Sequence, residues 1–263
     1  MTKRTRRTLV SAWGTAERRS AAAQLVAGIR EIPPNTRSLT GRMVSRRGYG
    51  IQVESKLERN AYTVLDARPD VLRITAQPDF GIRYIPDALV ETAPVSFMLE
   101  VKYESELVSK WEKLLPKFEA EDEFCKEHDG LRLVFMTDHA INYLQENLIG
   151  VLHGVRSYRH AARDAEFFNS VASLLQDRSP VSVREILDSQ GKTAEWKRWV
   201  RQVGGFVFSG NAFVESTPTP SFLDTRLCSL SHPPSMPFLS LDQLTRRIQT
   251  HPLRHEGGFV VAA

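Results

Sequence analysis

The sequence predicts an α/β fold, a mixed sheet flanked by helices, joined to a small C-terminal unit that is mostly helical and winged-helix-like. Two observations predict it. Residues 55–136 switch between a 3.6-residue and a 2-residue apolar period, in the order helix, three strands, helix, strand. From Asp164 onward helical stripes dominate and end in a short apolar run with a turn behind it. The 263 residues suffice for one large domain or two smaller ones, and 41% hydrophobic with 25% charged residues excludes a collagen-like or wholly disordered chain.

Residues 1–50 lack sustained periodicity, although Ala21–Ile29 has the composition of a short helix, broken by Ile32-Pro33-Pro34-Asn35. The first strong helix begins at Ser55 with Leu57, Ala61, Val64 and Leu65 on one face, and stops before Pro69. Extended segments follow at Val71–Gln77, Phe80–Tyr84 and Ile85–Glu91. A turn at Thr92-Ala93-Pro94 leads into Val95–Tyr103, the best strand in the chain. Leu107, Trp111, Leu114, Leu115 and Phe118 describe an amphipathic helix in which Pro116 forces a kink or starts a second helix. His128-Asp129-Gly130 ends it, and Leu131–Met136 is a fully apolar strand. Thr137 or Asp138 caps the next helix, with the stripe Ile141, Leu144, Leu148, Val151 and Leu152.

In the second unit, Asp164–Leu175 is a helix separated by Ser179-Pro180 from Val183–Leu187. Trp196, Trp199, Val200 and Val203 form another helical face, ended by Gly204-Gly205. Phe206–Phe208 then reads as a short strand with a turn at Ser209-Gly210-Asn211. Two short helices and a β-wing resemble a winged helix, with Lys197, Arg198 and Arg201 on the outward face; a plain helical subdomain is the alternative. Five prolines between Ser216 and Ser240 mark a tail, closed by a helix at Leu241–Ile248. The expected partition is a basic arm at 1–50, an α/β domain at 51–160, the winged-helix-like domain at 161–215 and a Pro-rich tail at 216–263.

Charge separates the arm from the body. Eleven of the 35 Lys and Arg residues lie in the first 50 positions, against two of the 31 acids, so the rest of the chain is acidic on balance. A basic arm holding Arg4, Arg6, Arg7, Arg46 and Arg47 on a mildly acidic body suits a polyanion such as DNA; the alternative is a solubilising terminus. No apolar run approaches the ~20 residues of a membrane span, and no apolar segment follows the basic start as in a signal peptide. Cys125 and Cys228 form no disulfide framework and no zinc pattern. The expected setting is a reducing, cytoplasmic one.

The chemistry concentrates in Pro86-Asp87, twelve residues, then Glu100-Val101-Lys102. Alternation in a strand puts Glu100 and Lys102 on one face while Leu99 and Val101 point into the core. Asp87 lies on the preceding strand, where the turn can bring the carboxylates together. Glu58 on the first helix supplies a third acid, with Glu54 one turn earlier. Clustered carboxylates repel unless a cation joins them, and hard oxygen ligands suit Mg²⁺ or Mn²⁺. Lys102 then orients an attacking water or stabilises developing negative charge. The competing reading is that these are ordinary exposed or edge residues of a strand.

With those residues in place, the Asp…Glu-x-Lys pattern in an αβββαβ order resembles the PD-(D/E)XK, or restriction-endonuclease-like, nucleases. Glu54-Ser55-Lys56-Leu57-Glu58, Gln77-Pro78, Tyr84-Ile85-Pro86-Asp87, Glu100-Val101-Lys102 and Val134-Phe135-Met136-Thr137-Asp138 resemble more narrowly the TnsA-type endonuclease subunits of heteromeric, cut-and-paste transposases. The resemblance covers about residues 50–150; in it Glu100 stands where such enzymes sometimes carry Gln. It implies Mg²⁺-dependent cleavage of the 5′ (non-transferred) strand at transposon ends, with Mn²⁺ as a substitute. Glu58, Asp87, Glu100 and the Val101 carbonyl would be metal ligands, and Lys102 the catalytic lysine. It further implies double-stranded DNA, a DDE-type transposase (TnsB-like) and an ATP-dependent regulator (TnsC-like) as partners, and no membrane. Two other functions compete: a repair or restriction nuclease on the same core acting alone, and a non-catalytic DNA-binding scaffold.

Other motifs read as structure. Gln190-Gly191-Lys192-Thr193 lacks the first glycine of a phosphate-binding loop and is a helix–helix turn. Pro252 argues against a metal pair of His251 and His255. Asp138-His139 has no nucleophile to serve. Glu119–Glu123 reads as a solvated helix face, and Trp196 and Trp199 fit core packing better than base stacking. Gln77 either holds the hairpin that carries Asp87 or touches DNA.

Overall fold

The computed structural model describes residues 7–8, 20–30, 40–144, 164–215 and 221–252. The elements begin with β1 (Arg7–Thr8), α1 (Ala21–Gln24), β2 (Gly28–Arg30), β3 (Gly41–Val44), β4 (Gly50–Val53) and α2 (Lys56–Ala67). There follow β5 (Val71–Ala76), β6 (Pro78–Asp79), β7 (Ala88–Thr92), β8 (Ser96–Lys102), α3 (Glu104–Lys126), β9 (Leu131–Thr137) and α4 (Asp138–Leu144). The last third holds α5 (Ala165–Asp177), β10 (Val181–Ser182), α6 (Val183–Ser189), α7 (Trp196–Phe208), β11 (Phe213–Val214), β12 (Arg226–Cys228) and α8 (Leu241–Gln249).

Contacts divide the chain into two compact units that interleave along the sequence. One takes in Met1–Pro33, Thr75–His139 and Phe238–Ala263; the other takes in Pro34–Ile74 and Ala140–Pro237. The first is built on a mixed sheet of order β5-β7-β8-β9, β5 contributing its last two residues to this unit. β7 and β8 form the antiparallel hairpin, Ala88 opposite Leu99, and β9 runs parallel to β8 with Glu100 beside Phe135. A parallel neighbour needs a crossover, and α3 supplies it. Met98, Phe135, Trp111, Phe118 and Leu107 pack in one core cluster between α3 and the sheet. The mixed α/β architecture, a sheet flanked by helices, is therefore the expected one.

Four local expectations are corrected. Phe80–Tyr84 is not a strand; it forms bends, with Gly81 at φ +78, and the paired segment is the two-residue β6. In α3 the helical geometry breaks at Lys110 (φ −120, ψ 16), six residues before Pro116, so the proline lies inside the second stretch instead of marking the break. Of the two residues expected to cap the next helix, Thr137 and Asp138, Asp138 is the first residue of α4 itself, which leaves Thr137 ahead of it, and the Asp138 Oδ1 accepts the Glu104 N–H of α3 at 2.7 Å. The arm is not featureless: β2 pairs with both β1 and β6, and α1 packs Ala22 and Ala23 into the core cluster.

The expected tail is also structured. Leu239 exchanges two backbone hydrogen bonds with Phe135, and Leu244 and Ile248 of α8 are fully buried in the first unit's core. Arg247 then fastens α8 to the start of α3 with two hydrogen bonds to Glu104, at 2.7 and 3.0 Å.

In the second unit α7 runs through Gly204 and Gly205 to Phe208, so Phe206–Phe208 is helix and not strand. Two glycines cost a helix about 1 kcal/mol each. Packing overrides that: Gly205 faces the Phe168 ring and Phe206 meets the same ring edge-on at 5.3 Å. The strand pair expected there forms later, β11 with β12, and β12 also pairs with β10. Gly191 (φ +64) makes the turn expected after α6, and Trp199 packs on Phe167 at 5.0 Å.

Candidate active site

The hairpin register places Asp87, one step beyond Ala88, abreast of Glu100 at the end of the sheet. Two bonds to main-chain N–H groups help to hold it there. Its Oδ2 accepts the Val101 N–H at 2.8 Å, and its backbone C=O accepts the Gln77 N–H at 2.9 Å. Gln77 is buried, takes the left-handed φ of 50, and accepts the Arg30 N–H at its own carbonyl. Such a φ is uncommon for a side-chain-bearing residue. Here one residue bonds both ways, its N–H to Asp87 and its C=O to Arg30 of β2, so Gln77 supports the hairpin.

Around Asp87 lies a chain of alternating charges. Lys102 Nζ is 2.7 Å from Asp87 Oδ2 and 2.9 Å from Glu100 Oε2. On the other side Lys117 of α3 donates to Glu100 Oε1 at 2.6 Å, and stands 3.5 Å from Glu121 Oε1, one helical turn on. Glu100 and Glu121 are both 0% exposed. Among the described residues neither Glu121 oxygen has a hydrogen-bond partner. Glu100 Oε2 lacks one too: Lys102 sits within ion-pair range of it without hydrogen-bond geometry.

Burial opposes the Lys102 ammonium, but Asp87 and Glu100 outweigh it and push its pKa up. Lys117 behaves likewise through Glu100 and Glu121. For the carboxyls burial acts in the other direction, raising Glu100 and lifting Glu121 to about 8, with the negative charge of Asp87 or Glu100 adding to it. Two ammonium groups touch Glu100 and one more distant faces Glu121, so of these two raised carboxyls Glu121 is the one that holds a proton more readily.

Could this site hold a divalent ion? The donors are hard oxygens, and one of them, Glu100 Oε2, is buried and turned to a cation without being committed to a hydrogen bond. The Lys102 ammonium marks a position where both carboxylates favour positive charge. The donor chemistry fits Mg²⁺. Among the described residues no group of three or more His, Cys, Asp and Glu side chains gathers for a metal, so the pair needs further oxygens from backbone, water or substrate.

Asp87, Glu100 and Lys102 are thus brought together. Glu58 lies on α2 in the second unit. Its Oε2 accepts the Glu54 N–H and its Oε1 the Ser55 hydroxyl, a cap on the helix start. Of the basic candidates, Arg4 and Arg6 lie outside the described residues, as does the Arg198 side chain; Arg7 sits on β1 opposite Arg30. Arg47, Lys197 and Arg201 are exposed. Arg46 is committed elsewhere: its Nη2 donates to the carbonyls of Arg68, Pro69 and Val71, between the end of α2 and the start of β5. His251 stands 3.8 Å from Glu104, and His255 lies outside the described residues.

Sequence reasoning missed Lys117 and Glu121. In the stretch Glu119–Glu123 only Glu121 is buried; Glu119, Ala120 and Glu123 are exposed and Asp122 is half-buried. The signal was available: Phe118, Glu121 and Cys125 follow the same 3–4 spacing as the apolar stripe, so a charge at 121 had to face the sheet.

Residues 62–138 match the family described as TnsA-like endonuclease N terminal. The matched stretch takes in Asp87, Glu100, Lys102, Lys117 and Glu121 and begins after Glu58. No curated protein matches the chain. The stretch from the middle of α2 to the start of α4 is accordingly similar to the TnsA-like endonuclease N-terminal domain, the same resemblance that the motifs carry. Among the described residues no helix is long and apolar enough to cross a membrane.

Proposed function

We propose that this chain is a Mg²⁺-dependent DNA endonuclease that cuts the 5′ (non-transferred) strand at transposon ends, alongside a DDE-type transposase that handles the other strand. An ATP-dependent regulator of the TnsC kind is the further partner. The observation that carries this reading is the buried convergence of Asp87, Glu100 and Lys102, within hydrogen-bond or ion-pair reach of one another, inside the TnsA-like endonuclease stretch. Asp87, Glu100 and the Val101 carbonyl hold the metal in this reading, and Glu58 is the further ligand that the TnsA-like resemblance implies.

When bound, Mg²⁺ supplies charge neutralisation at the scissile phosphate and a water of lowered pKa. The chain's own groups do the remainder. Asp87 and Glu100 orient the cation from a rigid strand pair, whose register admits little play. Lys102, with its pKa pushed up, keeps its proton at neutral pH. It acts as a positive hydrogen-bond donor to water or phosphate oxygen and not as a base.

The second unit supplies the proposed duplex grip. Helix, strand, helix, helix, strand, strand, with sheet order β10-β12-β11, supports a winged-helix reading of residues 164–228. Lys197, Arg198 and Arg201 on α7, with Arg47 on the β3–β4 turn, are its proposed phosphate contacts.

The test is strand cleavage of duplex carrying transposon ends, with Mg²⁺ and the cognate DDE transposase present. Asp87→Ala and Lys102→Ala should each lower cleavage about 100-fold or more while circular dichroism and duplex binding persist. Parent-like cutting by either variant sinks the site. Efficient nicking of arbitrary duplex by the isolated chain favours the lone nuclease instead.

A further inference from the structure

We propose that Lys117 is a positioning residue of this nuclease site, the standing counter-ion of Glu100. It holds Glu100 by Oε1, so that Oε2 stays turned toward Asp87 and Lys102. The inference rests on the nuclease reading and extends it to a residue outside the Asp…Glu-x-Lys pattern.

Three observations carry it. First, Lys117 has a choice of partners. Glu121, one turn along its own helix, would make an ordinary i, i+4 pair, yet Lys117 lies 3.5 Å from it and 2.6 Å from Glu100 across on β8. The closest contact in the cluster is therefore the one that reaches the site.

Second, the placement is costly. Leu107, Trp111, Phe118 and Cys125 make the buried side of α3, and Lys117 is mostly withdrawn from water beside them, with 17% of its side chain exposed. Chiefly the pairing with Glu100 offsets that cost: a buried pair replaced whole by apolar residues loses little stability, whereas one stripped of a single partner loses much. The reason for a lysine at 117 is therefore the carboxylate at 100.

Third, Lys102 is shared. It neutralises Asp87 at 2.7 Å and Glu100 at 2.9 Å together. To reach a phosphate oxygen it has to leave at least one of them, and Glu100, at 0% exposure, would then have no ammonium of its own and only a metal shared with Asp87 as counter-charge if Lys117 were absent. Lys117 removes that obstacle. Lys102 is the working amine and Lys117 the one that stays.

Outer partners of metal ligands characteristically change metal affinity or turnover by about 10–100-fold when removed, which sets the size of the effect. Mn²⁺ binding to the full chain, without DNA or partner protein, is read by electron paramagnetic resonance. Cleavage kinetics on transposon-end duplex are measured beside it. Lys117→Met should weaken Mn²⁺ binding about tenfold or more and lower kcat, with KM for DNA changed by less than about twofold. Lys117→Arg should restore both. In a Glu100→Gln background, which keeps an oxygen donor, the same Lys117→Met change should cost less than about threefold, because its action passes through the ionised Glu100. Lys117→Gln replaces the methionine variant if thermal melting shows that the latter unfolds.

Mn²⁺ affinity within about twofold of the parent for Lys117→Met, or an equal loss in both backgrounds, overturns the inference and leaves the nuclease reading standing. A parent that binds no Mn²⁺ takes down both.

Discussion

Glu121→Gln isolates the cost of the buried carboxyl behind the site. Glu121 is 0% exposed, without a hydrogen-bond partner among the described residues, and burial first, then the charge of Glu100, lift its pKa from 4.5 to about 8. In the unfolded chain the same carboxyl ionises near 4.5, so between about 4.5 and 8 the folded protein holds a proton that the unfolded chain has released. Stability must then fall as pH rises through that window and level off above 8. At about 1.4 kcal/mol per tenfold, the gap amounts to on the order of 3–5 kcal/mol at full expression. Glutamine mimics the neutral acid and cannot ionise. The variant should match the parent near pH 4.5 and exceed it progressively toward pH 8. Urea unfolding followed by circular dichroism from pH 4.5 to 9 measures the difference curve, which is insensitive to groups common to both proteins. Parallel curves across the window would refute the reasoning: Glu121 would then ionise freely, and the proton would belong to Glu100 or to neither.

Two further outcomes separate structural from DNA-facing residues. Arg46→Ala should destabilise the protein by about 1–3 kcal/mol in urea unfolding, since it strips three carbonyls between the end of α2 and the start of β5 of their donor. It should also leave the salt slope of duplex binding unchanged, whereas Arg47→Ala and Arg201→Ala should each flatten that slope by about one unit of log K against log salt. A flattened slope for Arg46→Ala would reverse the assignment. Leu244→Ala, at a fully buried position of α8, should cost about 2–5 kcal/mol and weaken cleavage through the first unit's fold, a loss that thermal melting would show as a lowered midpoint. An unchanged melt would mean α8 is not part of that core.

The α/β architecture and the Asp87–Glu100–Lys102 group were legible because both rest on short-range order. Alternation along β8 puts Glu100 and Lys102 on one face, and a twelve-residue interval returns Asp87 beside them. Gly204-Gly205 misled for a comparable reason: local propensity favours ending a helix there, and only Phe168, about 36 residues earlier, supplies the contact that carries it through. Leu241–Ile248 read as a helix from its period, but nothing local told that Leu244 and Ile248 would complete a core more than a hundred residues away in sequence.

The chain by itself determined which residues the strand pattern can group: two carboxylates with twelve residues between them, a lysine two places from one of them, and a strand period that orients the pair. Tertiary structure alone decided which charges share one buried space. It turned Arg46 inward to the carbonyls between α2 and β5 and pointed Lys117 across a helix–sheet gap to Glu100. It also sealed Glu121 from water. Periodicity reports the face a side chain occupies, whereas the energy of a charge depends on how much water and which opposite charges surround it. Those neighbours come from segments far apart along the chain.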